Sequence, residues 1–541
     1  MTRRSAIGAA TLSLFIVGAI DAQQSALPST VKAAADRITT ERVKADLDFL
    51  AGDAVRGRNT PSPGYDAAAD YIEKRLRAAG VTPLGDNGTY RQHYVMRETT
   101  LSAGQATIAI GEQSFPLGEG FTLRGFAGAL NTRDAVAVYV GHGWTADGVD
   151  PYQGIDVKGK VVAVHGQNAR PRDAKIQQLG RVTVGGTSPV VEAERRGAVA
   201  VVYLSSDEPQ RGRGGRDGQG TVRRELDPPV LSAYSAPRIT ALQLGEAATR
   251  ALLKGSTLDA ASLADHAKSQ TFPAAFELPA KIAIRIPATS VAHRPFNVIG
   301  LVEGTDPALK NQYIVVQSHL DGAVGSREVE GDAIYNSADD NASGSAANVS
   351  MAEQMMTARP RRSLIFVWDS GEEQGLWGTR QFVGSPPMPL SNAVAMINID
   401  MIGADRAPTS ADANEARVTG PNEVFLIGPG PLSDRVSALI DRVNDAYLKL
   451  TLNRTHDTPS SEFFYPRTDA GPYLERGVLT IGFTTGIHNR YHLPADEAKF
   501  LNPEKIAAIA KTVFAIVHAL GQTDQRPAIE KPLPPSVLRV K

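Results

Sequence analysis

Four short runs in the second half of the chain, residues 313–317, 364–368, 393–399 and 478–483, are almost entirely apolar and β-branched or aromatic in character, with helical patterns between or after them. Strands buried on both faces of a parallel sheet read as such runs. From Phe296 onward the chain is therefore expected to fold as α/β, a mostly parallel central sheet flanked by helices. In open sheets of this kind ligands bind beyond the carboxyl ends of the strands, and the residues there carry chemistry. The first run leads into Ser318-His319-Leu320-Asp321, the second into Asp369-Ser370-Gly371-Glu372-Glu373 and the third into Asp400. The loop after the fourth contains His488, Tyr491 and His492, and a fifth element, Asn336 to Gly344, places Asp339 and Asp340 just before a helix.

Each of these features alone has an ordinary explanation: an aspartate before a helix is usually a cap, and a glutamate near a helix start complements the dipole. Their convergence is what matters. Neighbouring strands of one sheet would aim two imidazoles and several carboxylates into one crevice, and carboxylates so crowded require cations. The chain has no cysteine. This excludes disulfides, thiolate metal sites and a cysteine nucleophile together, and leaves His, Asp and Glu as the available ligands.

These segments, in this order, resemble the M28-type zinc peptidases, a family that includes bacterial aminopeptidases and glutamate carboxypeptidase II. The resemblance rests on Ser318-His319-Leu320-Asp321, Ala338-Asp339-Asp340-Asn341-Ala342-Ser343-Gly344, Asp369-Ser370-Gly371-Glu372-Glu373, Asn398-Ile399-Asp400-Met401 and Tyr491-His492-Leu493-Pro494-Ala495-Asp496. It implies a zinc aminopeptidase-like (phosphorylase/hydrolase-like) fold with two Zn²⁺ ions, one on His319 and Asp400, the other on Glu373 and His492, with Asp340 bridging. Other divalent ions are compatible with the same donors. By the same resemblance Glu372 is the general base and Tyr491 steadies the tetrahedral intermediate, with simple aromatic packing as its competing reading; Asp321, two residues beyond His319, is placed to accept the ring's other N–H from outside the ligand set, with a surface turn residue as the alternative. His488 is the alternative to His492. Asp469-Ala470 departs from a family stretch that often reads Ser-Asp-His.

The implied activity is an exopeptidase acting on peptides, foremost an aminopeptidase; a carboxypeptidase or dipeptidase on the same ions, a glutaminyl cyclase and a non-catalytic receptor-like binding protein are the competitors. No Gly-x-Ser-x-Gly elbow supports a serine hydrolase. With 57 basic against 58 acidic residues, no global field recruits nucleic acid, and the Gly/Arg-rich stretch 211–220 is read as a solvated loop.

At 541 residues more than one folded unit is expected. The sequence divides into a signal peptide at 1–22, an N-terminal part of the peptidase domain at 23–140, a β-rich insert resembling a protease-associated (PA) domain at 141–268, the catalytic domain at 269–522 and a Pro- and charge-rich tail at 523–541. The signal reading comes from Arg3 and Arg4 followed by an apolar run from Ala6 to Ile20. That run is shorter than the ~20 residues a spanning helix needs. The mature protein is thus expected to be secreted or periplasmic, with no stable membrane anchor.

Overall fold

The computed structural model describes residues 27–166, 175–179, 182–205, 222–230, 232, 237–325, 327–406, 417–461, 467–535 and 537. The expected signal peptide and the stretch 211–220 lie outside them. The chain divides into two compact units: residues through His93 with Phe296–Phe464 and Thr468–Pro534, and a second built on Tyr94–Pro295.

The first unit is organised on a nine-stranded sheet. Its strands are β1 (Thr82–Pro83), β2 (Arg91–His93), β3 (Phe296–Val302), β4 (Tyr313–His319), β5 (Ser363–Asp369), β6 (Ala393–Ile399), β7 (Glu423–Ile427), β8 (Thr451–Asn453) and β9 (Thr480–Thr484). They run in the order β1-β3-β5-β4-β6-β9-β7-β8, with β2 also on β3. The four strands expected from sequence form the parallel centre: β4 pairs in parallel with β5 and β6, and β6 with β9. On either side the sheet turns antiparallel, through β3 against β5 and β7 against β9. Because β4, β5 and β6 are parallel neighbours, their carboxyl ends lie on one edge, with His319 in register with Asp369.

Side chains alternate across this sheet, and both faces are covered. Tyr313, Val315, Ile365 and Val367 share a core with Phe382 and Tyr473, contributed by α4 (Trp377–Gly384) and by the short helix Ala470–Leu474. The other face of β4 packs against α3 (Gly344–Met355) and α5 (Pro503–Gln522), with α1 (Thr40–Leu50) and α2 (Pro63–Ala79) in contact with α3. The ends of these helices follow from their residues. Ser62 Oγ accepts from Tyr65 N at 3.2 Å to open α2, and Gly80 closes it at φ 77°. Asn502 accepts from Lys505 N at 3.0 Å ahead of Pro503. Ile506, Ile509, Val513, Phe514 and Val517 of α5 are fully buried, each such burial contributing ~1.5–3 kcal/mol.

The second unit has its own nine-stranded sheet and its own core, including Val161, Ala163, Val202, Leu242, Ile282 and Ile284. It is wider than the expected insert at 141–268. Ala135–Tyr139 pairs in parallel with Val161–His165 and antiparallel with Phe276–Ile286, so strands on both sides of the expected limits belong to it. Turn-rich composition marks where a segment changes character, whereas a unit ends where hydrogen-bonded pairing ends. Nor is it only β: its central strands Ala135–Tyr139, Val161–His165, Ala200–Leu204 and Thr240–Leu244 are parallel, accompanied by helices Pro189–Arg195, Glu246–Leu253 and Ala260–Ser269. The tail is also less loose than its composition suggests. Glu530 N donates to Leu432 O at 2.8 Å, Ser433 Oγ to Glu530 Oε2 at 2.7 Å and Lys531 Nζ to Gly430 O at 2.7 Å. Among the described residues no helix is long and apolar enough to cross a membrane.

Candidate metal centre

His319 ends β4, and its fully buried ring is oriented from behind: Nδ1 donates to the Asp321 carbonyl oxygen at 3.0 Å. That bond turns Nε2, the ring's other nitrogen, toward the site, where it can serve as a ligand once the ring is neutral. Nε2 faces two carboxylates, Asp340 Oδ1 at 3.1 Å and Asp400 Oδ1 at 3.4 Å. Asp340 comes from the turn Ala338–Ser343 immediately before α3, and its other oxygen lies 3.1 Å from His492 Nε2. Glu373 Oε2 lies 3.0 Å from the same nitrogen. The donors thus fall into two groups sharing Asp340, one of His319, Asp340 and Asp400, the other of Asp340, Glu373 and His492, with the ligand atoms of each group within 4.8 Å of one another.

Lone pairs that face one another at such distances require something positive between them. His319 Nε2, Glu373 Oε1 and Asp400 Oδ1 are buried without a directed hydrogen bond to any described residue. Without a cation the cluster is balanced by protons. Burial opposes the charged form of His492, yet Asp340 and Glu373 push its ring up to about 10. Burial, then the neighbouring Asp340, raises Glu373 to about 8. Asp340 is held below the usual carboxylate range despite its burial, because the His319 and His492 rings, each 3.1 Å from one of its oxygens, favour its charged form. Imidazole nitrogen and carboxylate oxygen in threes suit a divalent ion of the zinc type with a position left open, so the residues present fit the ions the sequence implies.

Glu372 belongs to neither group. Burial pushes its carboxyl well above the ordinary range against the pull of His319, and Glu373, Asp469 and Asp400 add to the rise. Tyr491 stacks on His492 with ring centroids 3.7 Å apart, and burial raises its phenol so that it is protonated at neutral pH.

Asp321 acts differently from the expectation. Its carboxylate is 3.9 Å from His319 Nδ1; it is the carbonyl that orients the ring. The carboxylate instead accepts from the backbone N–H groups of Glu372 at 3.2 Å and Glu373 at 3.4 Å, fixing the turn that presents both glutamates. His488 stands apart from the two groups, with Nε2 at 3.4 Å from Asp339 Oδ2 and 3.8 Å from Asp496 Oδ1. Asp339 also accepts from Gly403 N at 2.7 Å, and Asp496 accepts from the N–H groups of Asp339 at 3.0 Å and Asp340 at 3.2 Å.

The structure joins groups whose contact sequence reasoning missed. Asp369 and Asp469 are both buried around Thr379, whose hydroxyl is 3.0 Å from Asp369 Oδ2 and in close contact with Asp469 Oδ1. Gln317 Nε2 donates to Asp369 Oδ1 at 3.1 Å, and Tyr473 Oη to Gln317 Oε1 at 2.8 Å. Burial, then mutual repulsion with Asp469, raises Asp369. Gln317 was visible as a polar residue inside an apolar strand, the one signal that could have pointed there.

Residues 297–517 match the model of Peptidase family M28. An aminopeptidase of Pseudomonas aeruginosa is 29% identical over 195 residues, covering 35% of this chain and 31% of its own length. A probable zinc metalloprotease of Pyrenophora teres f. teres is 28% identical over 149 residues, 27% of this chain and 30% of that protein. The matched stretch thus spans about a third of the length of these relatives. Among solved structures, an aminopeptidase from Aneurinibacillus sp. strain AM-1 is similar over 92% of this chain and 97% of its own, at 18% identity and a TM-score of 0.49. A zinc aminopeptidase from Bacillus subtilis is similar over 91% and 98%, at 16% identity and a TM-score of 0.44.

Proposed function

From the match of residues 297–517 to the model of peptidase family M28, we propose that the chain is a zinc-dependent peptide hydrolase, an aminopeptidase that removes residues from the N-terminal ends of peptides. The observation that carries the reading is Asp340, whose two oxygens each lie 3.1 Å from a different imidazole, as a carboxylate shared by two ions would. In this reading His319 and Asp400 would hold one Zn²⁺, Glu373 and His492 the other, and Asp340 would be shared between them. Bound there, the ions supply Lewis acidity to the scissile carbonyl and make an attacking water more acidic.

The chain's own residues do the rest. Glu372, next to a ligand but outside both groups, takes the proton of the attacking water and returns it to the leaving amine. Tyr491, kept protonated by burial, donates its hydroxyl hydrogen to the oxygen on which charge develops. Asp321 keeps Glu372 and Glu373 in their turn, and Asp496 does the same for the Asp340 turn. The printed name of the Pseudomonas relative supports the choice of the peptide amino end. The charged start and apolar run at the N-terminus support export from the cytoplasm.

The deciding experiment is Glu372→Gln. The variant is expected to keep the wild-type zinc content, measured by elemental analysis, while kcat on aminoacyl-nitroanilides falls by at least ~10²-fold, the scale of a lost general base. Full turnover in that variant refutes the base assignment, and hydrolysis that survives exhaustive chelation refutes the metal reading.

A further inference from the structure

Arg58 lies in neither ligand group and is fully buried, yet its guanidinium holds four main-chain carbonyls. Nε donates to Leu320 O at 2.8 Å, Nη1 to Asn336 O at 2.9 Å and, in a short contact, to Leu50 O, and Nη2 to Ser337 O at 2.9 Å. Leu320 directly follows His319, and Ser337 shortly precedes Asp340. Three of the four bonds therefore close the base of the loop 321–336, whose two ends carry a ligand and the shared carboxylate. The fourth fastens that base to the end of α1.

The segment around Arg58 is fitted to the same loop. Gly57 has φ 77°, and a Cβ there would lie 2.2 Å from Tyr335 O; a Cβ on Gly322 would lie 2.5 Å from Gly57 O. Asp53 Oδ1 accepts from Asn336 Nδ2 at 2.9 Å. At both glycines the approach is thus backbone against backbone, with no room for a side chain. A buried guanidinium also needs counter-charge, and Arg58 has the carboxylates of Asp321, Asp496, Asp340 and Glu373 around it. It brings one permanent positive charge to the acidic cluster without taking a ligand position.

We infer that Arg58 is a positioning residue of the metal centre, tying both ends of the 321–336 loop together and so fixing how far His319 stands from Asp340. The inference rests on the reading that this centre holds divalent ions. Lysine is no substitute, since three donors on one nitrogen cannot reproduce a planar fork that reaches four carbonyls.

The test compares full-length Arg58→Lys with Arg75→Lys, a second buried arginine, which bonds to Asp46 and Glu353. Zinc retention against graded chelator and hydrogen exchange of the 320–337 amides are measured in each. Arg58→Lys is expected to hold zinc on the order of tenfold more weakly, the effect of losing a partner just outside the ligands, and to exchange faster across 320–337. Arg75→Lys is expected to change neither, even where its melting temperature falls as far. Asp53→Ala, at an exposed position, is expected to fold and to shift both readouts a few-fold in the same direction. Wild-type zinc retention and exchange in Arg58→Lys overturn the proposal, as does equal loosening in Arg75→Lys. Should Arg58→Lys not fold, unchanged readouts in Asp53→Ala overturn it. A wild-type protein that binds no divalent ion defeats the reading of the centre instead, while the exchange experiment still reports whether Arg58 holds the loop.

Discussion

At the scale of single residues, burial decides what each titratable group does. His518, on α5 and away from the metal centre, is kept neutral by burial alone, its pKa lowered from 6.5 to about 4. The unfolded chain takes up that proton near pH 6.5 and the folded one only near 4. Stability is therefore complete above the higher value and is lost as pH falls through this window, by about 3 kcal/mol in all. Denaturant titrations at pH 7.5 and 4.5 should show a smaller loss in His518→Leu than in the wild type; equal losses would refute it. The proposed metal ligands stand out in the sequence because each lies at the end of a recognisable strand or turn, as His319 ends β4 and Asp400 follows β6. The partners that aim them do not. Arg58 bonds only to carbonyls, which leave no mark on residue identity, and Asp469 meets Asp369 through Thr379 across three separate segments. Asp321 was identified, but its sequence position could not say that its carbonyl, and not its carboxylate, would meet His319.

At the scale of elements, local signals and tertiary pairing had unequal reach. The closing helix was readable to the residue: Asn502 as cap, Pro503 in the first turn and the apolar face behind them all occur as expected. Removing the cap in Asn502→Ala should cost about 1 kcal/mol, read as a lower denaturation midpoint with unchanged zinc content. A change within error would mean that the buried face of α5 alone defines its start. The four central strands were equally clear from their continuous apolar runs. Their antiparallel flanks were not, because the pairing of β3 with β5, or β7 with β9, is set by chain crossings that no local pattern encodes. For the same reason the second unit's limits were drawn too narrowly: Ala135–Tyr139 and Phe276–Ile286 look like any other strands until they pair.

At the scale of the molecule, all of the proposed ligands belong to the first unit, while the second has a separate sheet and core. Chelation should therefore act unevenly. Stripped of ions, the crowded carboxylates of the first unit lose their balancing charge, and calorimetry with excess chelator is expected to lower the melting of that unit and leave that of Tyr94–Pro295 in place. A uniform shift of all melting would show that the two units unfold as one. The placement of Tyr94–Pro295 between two parts of the first unit has a consequence for biosynthesis. Tyr94–Pro295 emerges from a ribosome ahead of β3 and the strands after it, so its sheet can close while the other still lacks its parallel centre. His319, Asp340, Glu373 and Asp400 then emerge in turn and His492 last, so a growing chain cannot complete the second group of proposed ligands until synthesis is nearly finished.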